Sequence, residues 1–288
     1  MIRLLLRKIN ALINIYFWKK FHSSSNKSII INSIPKSGTH LADQFFKNID
    51  EVKDFSFFIA QAPTRPHRLR SENKIIELIS RIKPGEIVRG HFHYSKKIEE
   101  LLIQKEILMI FVYRDPRDVI ISEANYLYDM NKFHSLHKYF RHKHVLKDRI
   151  KLSIKGINSI KFGYKNVGER LKPYIGWKIN KSDHIFSMNY ESMRNSLDLC
   201  IEQLYLFFKK NNFFEKEISL QNFSTKVNQS IDPKKSHTFR KGKDGGWKNQ
   251  FDLEIINLYK DYEDGITENL GYEMPSFDLD NKNLKIDK

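Results

Sequence analysis

The chain has 288 residues, 40% of them hydrophobic and 13% aromatic, enough apolar surface for a buried core, so global disorder is excluded. Lysine and arginine total 50 against 34 acidic residues, and the net charge of +16 calls for an anionic partner without choosing among nucleotide, nucleic acid, anionic glycan and membrane surface. The single cysteine, Cys200, excludes an internal disulfide framework and a cysteine-rich zinc site.

Residues 1–27 precede the domain as a basic amphipathic segment. Arg3, Arg7 and Lys8 interrupt the apolar run, so it neither spans a bilayer nor reads as a signal peptide. Leu5, Ile9, Leu12, Ile13 and Tyr16 fall at helical spacing, and Lys19 and Lys20 stand beside Trp18 and Phe21. Such a helix suits peripheral contact of residues 1–21 with an anionic membrane face, or packing on the domain. Nothing in the sequence requires an oxidising compartment, and the expected location is cytoplasmic.

The domain itself spans residues 28–271. Ser28 to Ile34 is a β-branched apolar run that reads as a buried strand. Leu41, Phe45 and Ile49 then step by four and predict a helix from Gly38 to Ile49. Glu86 to Arg89 is a short strand, and Leu108 to Tyr113 is the strongest buried strand. A helix follows from Pro116 to about Tyr128, with Asp115 placed to cap it. His184 to Met188 is a further strand, with helices over Ser196 to Phe208 and Leu253 to Leu270. Residues 272–288 read as a polar tail, frayed from Asp278. Alternating strands and helices predict a single α/β domain with a mostly parallel central sheet flanked by helices.

Three segments carry chemistry. The turn Pro35-Lys36-Ser37-Gly38-Thr39 joins a strand to a helix start, where backbone amides, a lysine and two hydroxyls can cradle a phosphate. It lacks the GxxxxGK[ST] spacing of an ordinary ATPase or nucleotide kinase. Arg114 sits at the carboxyl end of the best strand, and Ser122 lies eight residues later on the adjoining helix, so the two can grip one phosphate from two sides. Asp115 and Asp118 read as helix-start groups, and Arg117 as a surface arginine paired with them. The loop Arg240-Lys241-Gly242-Lys243-Asp244-Gly245-Gly246-Trp247 is basic and glycine-rich, able to fold its amides over an anion.

In this order and separation, PKSGT at 35–39, Arg114 with Ser122, and RKGKDGGWKN at 240–249 resemble the PAPS-dependent sulfotransferases, over residues 28–271 and with a P-loop-like fold. The resemblance implies transfer of a sulfuryl group from 3′-phosphoadenosine 5′-phosphosulfate (PAPS) to an acceptor hydroxyl, with no metal required. It assigns the 5′-phosphosulfate to Lys36, Ser37, Gly38 and Thr39, with Lys36 also stabilising the leaving phosphate. It assigns the 3′-phosphate to Arg114, Ser122, Arg240, Lys241 and Gly242, and the nucleotide base to Tyr190. Relatives place a general-base histidine after a basic residue and a spacer. Arg89-Gly90-His91 fits that spacing, which favours His91 over His93, although an extended chain would put both on one face. His40 and Leu41 stand where relatives carry a threonine and a base-stacking aromatic, and Leu220 or Phe223 is the expected far-side partner. The cluster His134, His137, His142 and His144 reads as a solvated basic face. The acceptor is expected to be a glycan or glycolipid, and nucleic acid is not expected as a partner. The rival reading is a non-catalytic polyanion-binding protein.

Overall fold

Five parallel strands form one sheet in the order β2-β3-β1-β4-β5: β1 Ile29–Ser33, β2 Lys53–Ala60, β3 Glu86–His91, β4 Leu108–Tyr113 and β5 Ile185–Asn189. The computed structural model describes residues 27–63, 69–158, 164–232, 245–277 and 284–285. The N-terminal amphipathic segment 1–21 therefore lies outside the described residues, as do Arg240, Lys241 and Gly242.

β1 and β4 are buried along their whole length because helices cover both faces of the sheet. Ile30, Met109, Phe111 and Tyr113 join one core with residues of helices α2 (Glu72–Ser80), α3 (Lys96–Gln104), α4 (Pro116–Asn125), α6 (Leu146–Lys155), α7 (Val167–Ile179) and α11 (Leu253–Tyr262). Ile29, Ile31, Leu108, Ile110 and Val112 join the opposite core with α1 (Thr39–Gln44), α9 (Leu197–Lys210) and α10 (Leu220–Ser230). The shorter helices α5 (His137–Phe140), α8 (Tyr190–Asn195) and α12 (Ile266–Asn269) complete the domain. Cys200 belongs to the second core, as its apolar neighbours predicted.

Several boundaries differ from the sequence reading. The helix after the first turn ends at Gln44, and the buried Phe45, Phe46 and Ile49 cover the sheet from successive turns instead. The segment Leu253 to Leu270 is two helices, because Asp264 (φ 50°) and Gly265 (φ 72°) turn left-handed between them. β2 carries no strand signal in the sequence because it is an edge strand whose buried positions are Phe55 and Ile59, amid exposed residues. In the C-terminal tail, Ser276–Phe277 pairs antiparallel with Leu284–Lys285, so this stretch is not uniformly frayed. The π-helical turn Tyr126–Met130 that ends α4 carries no sequence signal of its own.

The buried Asn32 amide ties β1 to the chain leaving β3. Its Nδ2 donates to the Phe92 carbonyl and its Oδ1 accepts from the Phe92 N–H, both at 3.0 Å. Trp177 Nε1 donates to the same carbonyl at 3.1 Å. Asn32→Ala strands a buried backbone N–H, and we expect it to cost about 2–4 kcal/mol in urea unfolding followed by tryptophan fluorescence. A loss below about 0.5 kcal/mol would contradict the clamp.

Candidate active site

The carboxyl ends of β1, β3, β4 and β5 lie side by side, and each delivers one of the predicted groups. β1 leads into the Pro35–Thr39 turn, β3 ends at His91, β4 is followed by Arg114, and β5 by Tyr190.

The turn after β1 makes two demands on the backbone, two residues apart. Lys36 has φ 72° and Gly38 has φ 95°. The left-handed conformation costs a lysine about 1–2 kcal/mol, so the surroundings must impose it. At Gly38 a Cβ would stand 2.5 Å from Tyr190 Cδ2, so glycine is required by space as well as by φ. Ser37 is fully buried, and its Oγ has no hydrogen-bond partner among the described residues. An orphaned buried hydroxyl beside a lysine fits an anion that supplies the missing acceptor. At six residues, α1 is short for a large macrodipole, so full charges and turn donors dominate the local field.

Thr39 Oγ1 is 2.6 Å from Ser33 Oγ, which lies 3.0 Å from His91 Nδ1. The same ring nitrogen is 2.8 Å from the Ser33 carbonyl oxygen. A carbonyl only accepts, so Nδ1 carries the proton and Nε2 presents a lone pair. Burial lowers the His91 pKa to about 4, assisted by the Lys36 and His40 charges and opposed by the Ser33 bond. His91 is thus a neutral imidazole at pH 7. Its ring meets Phe58 edge-on at 5.0 Å, and Phe58 is half exposed.

The structure separates the two histidines that an extended chain would leave on one face. His93 packs edge-on against Tyr174 at 4.9 Å, while its N–H donates to Gln61 Oε1 at 3.2 Å. Burial alone lowers its pKa to about 4. Arg89, the basic residue of the predicted base motif, is engaged with Asp43 at 2.6 Å and Asp54 at 2.5 Å.

Lys36 Nζ lies 3.8 Å from the centre of the Tyr126 ring. Burial lowers its pKa to about 8; Glu123 opposes that shift and Arg114 adds to it. The Arg114 guanidinium covers the Tyr190 ring at 4.2 Å, and Tyr190 in turn fills the space against Gly38. Tyr190 is buried, and so spaces the cradle from Arg114. Ser122 is half-buried on the second turn of α4.

Asp118 is more than a helix-start group. Its carboxylate accepts from the backbone N–H of Gly245 (2.8 Å) and Trp247 (2.9 Å) and pairs with Arg114 Nη2 at 3.3 Å. Burial raises its pKa, with Arg114 opposing. Arg117 is not a surface arginine. It makes a buried pair with Asp115 at 2.8 and 2.7 Å, lies 3.7 Å over Trp247 and donates to the Glu273 carbonyl at 2.9 Å. These contacts fasten the described end of the glycine-rich loop onto the start of α4.

Phe223, one of two expected base-stacking groups, is fully buried among Tyr205, Phe208 and Phe214 and faces the core instead. Leu220, at the first turn of α10, is partly exposed. His137 Nδ1 bonds the Leu127 carbonyl at 2.8 Å, and His142 Nε2 accepts from Arg141 Nε at 3.0 Å. Among the described residues no group of three or more histidine, cysteine or acidic side chains converges as for a metal, and no helix is long and apolar enough to cross a membrane. Ser33, Phe58 and Tyr126 were missed by the sequence reading. A serine at a strand end, a phenylalanine on an edge strand and a tyrosine opening a π turn carry no local motif.

A sulfotransferase-domain profile matches residues 26–271. The chain belongs to the PAPS-dependent sulfotransferase family. It is 26% identical to flavonol 3-sulfotransferase of Flaveria bidentis over 262 residues, 79% of this chain and 78% of that protein. Against sulfotransferase 1 family member D1 of Mus musculus it is 23% identical over 255 residues, covering 82% and 81% of the two chains. The fold is similar to mouse sulfotransferase SULT7A1 complexed with PAP, with TM-score 0.54, 17% identity and 82% of both chains covered. Retinol dehydratase in complex with androsterone and inactive cofactor PAP superposes with TM-score 0.52 at 15% identity, covering 85% of this chain and 80% of that one.

In this sulfotransferase, Asp118→Asn keeps the size of the side chain but removes the charge that holds two N–H groups and Arg114. We expect about a 10-fold or greater weakening of 3′,5′-ADP binding by calorimetry, in line with about 1.5–3 kcal/mol for hydrogen bonds to a charged group. Unchanged affinity would show that the loop anchor is irrelevant to the ligand.

Proposed function

We propose that this sulfotransferase moves a sulfuryl group from PAPS to an acceptor hydroxyl by in-line transfer, with His91 as general base. The observation that carries the reading is the bond from His91 Nδ1–H to the Ser33 carbonyl, one turn from the Lys36–Ser37 cradle. It leaves Nε2 as the nitrogen able to take a proton.

The residues present fit the donor: Ser37 Oγ lacks an acceptor, Lys36 is cationic beside it, and Arg114 stands across Tyr190. Lys36, Ser37, Gly38 and Thr39 would hold the 5′-phosphosulfate. Arg114 and Ser122, with Arg240, Lys241 and Gly242 from outside the described residues, would hold the 3′-phosphate. Bound PAPS supplies a sulfuryl group joined to a good phosphate leaving group. His91 Nε2 removes the acceptor hydroxyl proton as the new S–O bond forms. The Lys36 ammonium balances the negative charge that gathers on the departing phosphate oxygen, and the Ser37 hydroxyl donates to the same group.

The acceptor is hydroxyl-bearing. Lys132, Lys138, Arg141, His142, Lys143 and His144, all exposed, form a basic patch that supports a glycan or glycolipid. Phe57 and Phe58, each about half exposed and the latter against His91, support a flat apolar acceptor such as the flavonol named for the plant relative. A screen pairing anionic oligosaccharides with flavonols separates the two. Peripheral membrane contact through residues 1–21 is part of the proposal, at the cytoplasmic face, and is checked by vesicle sedimentation with and without that segment.

Calorimetry should give tight binding of 3′,5′-ADP and weak binding of ATP and 5′-AMP, with Arg114→Ala losing about 10- to 100-fold, the equivalent of roughly 1.5–3 kcal/mol. Equal affinity for all three would return the basic surface to polyanion binding. His91→Ala should lower kcat by about 10²–10⁴ with 3′,5′-ADP affinity kept.

The His91 pKa is lowered to about 4 and the Lys36 pKa to about 8. His91 must be neutral to act, so kcat/KM should stay level as pH falls from 7 through 6.5 and drop only towards 4. Lys36 must be charged, so kcat/KM should fall as pH rises through about 8. An acid limb near 6.5 would rule out His91 in this environment.

A further inference from the structure

Lys36 needs something to hold it. Its side chain is flexible and strongly hydrated by nature, and burial disfavours its charge. The charged groups that act on it include Arg114 after β4, which repels it, and Glu123 on α4, which attracts it. It also exerts a repulsive field on His91 at the end of β3. Its ammonium lies over the face of Tyr126, 3.8 Å from the ring centre to Nζ.

Tyr126 is itself fixed with unusual care. It opens the π-helical turn Tyr126–Met130, and its carbonyl accepts from the Asn131 N–H at 3.0 Å, five residues on. The Asn131 side chain donates from Nδ2 to the Tyr126 hydroxyl at 2.7 Å. His134 meets the ring edge-on, centroids 6.4 Å apart. One asparagine therefore bonds both the main chain and the hydroxyl of the same tyrosine, while a histidine closes another side. A π insertion rotates the residues beyond it relative to the preceding α-helix, and such turns concentrate at functional sites.

We propose that Tyr126 is a positioning residue for Lys36: the π turn locks its ring so that the aromatic face holds the ammonium over the phosphate cradle. The role belongs to the ring face, through a cation–π contact, and not to the hydroxyl, which is occupied by Asn131. It rests on the assignment of Lys36 to the donor cradle. Tyr126 does not touch the reacting atoms in this role.

The test needs no acceptor. The full chain is labelled with acetic anhydride across a pH series, and the modification of Lys36 is read by mass spectrometry. In the parent protein the midpoint for Lys36 should lie near 8. Tyr126→Leu removes a face that favours the charged form but also frees the ammonium into water, and relief of burial, the largest cause of the lowered value, should win: the midpoint should move up towards the ordinary 10.5 while the labelling extent at high pH rises. Tyr126→Phe keeps the face and loses only the bond from Asn131 to the hydroxyl, so its midpoint should stay close to the parent's and far from the leucine variant's. Asn131→Ala, which spares the core should the leucine variant fold poorly, should shift the midpoint in the same direction by less.

Calorimetry with 3′,5′-ADP accompanies the labelling. Tyr126→Leu should weaken binding about 5- to 10-fold, and the double variant with Lys36→Met should bind no more weakly than Lys36→Met alone. A leucine variant that labels as the parent overturns the proposal, and so does a phenylalanine variant as displaced as leucine. If Lys36→Met leaves 3′,5′-ADP binding unchanged, the donor assignment of Lys36 fails. The labelling series still decides whether Tyr126 holds it.

Discussion

The placement of β1 between β3 and β4 is the constraint on which the remaining geometry depends. Parallel pairing on both sides of β1 brings its exit turn between His91 and Arg114, residues separated widely in sequence. Because all strands run the same way, the loops with polar chemistry gather at one end while the strand bodies are buried by helices on both faces. Ser33, the last residue of β1, then reaches both Thr39 and His91, joining the anion cradle to the candidate base within one hydrogen-bonded chain.

Electrostatics in this corner follow from burial. A lysine and a histidine share a poorly solvated space, and the lysine charge lowers the tendency of the histidine to take up a proton. The histidine yields and stays neutral, which suits a proton acceptor. The lysine remains charged at neutrality with a reduced pKa, supported by Glu123 and by the Tyr126 face. On the far side, the carboxylates of Asp115 and Asp118 hold Arg117 and Arg114, and through Trp247 and two backbone amides they also hold the end of the glycine-rich loop. Buried pairs of this kind add little net stability, yet breaking one leaves an uncompensated charge, so they specify geometry more than they stabilise it.

Much of the site is legible because it is local. PKSGT announces a turn with lysine, serine and glycine in adjacent positions, and the turn indeed uses all three: an αL lysine, a buried orphan hydroxyl and a glycine that a methyl group would wreck. The run LMIFVY can only be a strand covered on both faces, and it is. The readings that failed concern partners remote in sequence. Arg117 looked like a surface charge because its tryptophan cover comes from 130 residues later, at Trp247. Phe223 looked available for stacking because helical periodicity does not tell which face meets a neighbouring aromatic cluster.

By itself the sequence determined the parallel α/β class, the turn at Pro35–Thr39 that is the candidate cradle, and the family, since hydrophobic periodicity and contiguous motifs are short-range properties that survive in one dimension. Tertiary structure alone decided that His91 and not His93 bonds Ser33, which tautomer it holds, and that Asp118 pairs with Arg114 while the Tyr126 ring lies against Lys36. Those outcomes depend on distances between strand ends and on the loss of water around buried charges. Both arise only when the sheet has closed and the helices have covered it.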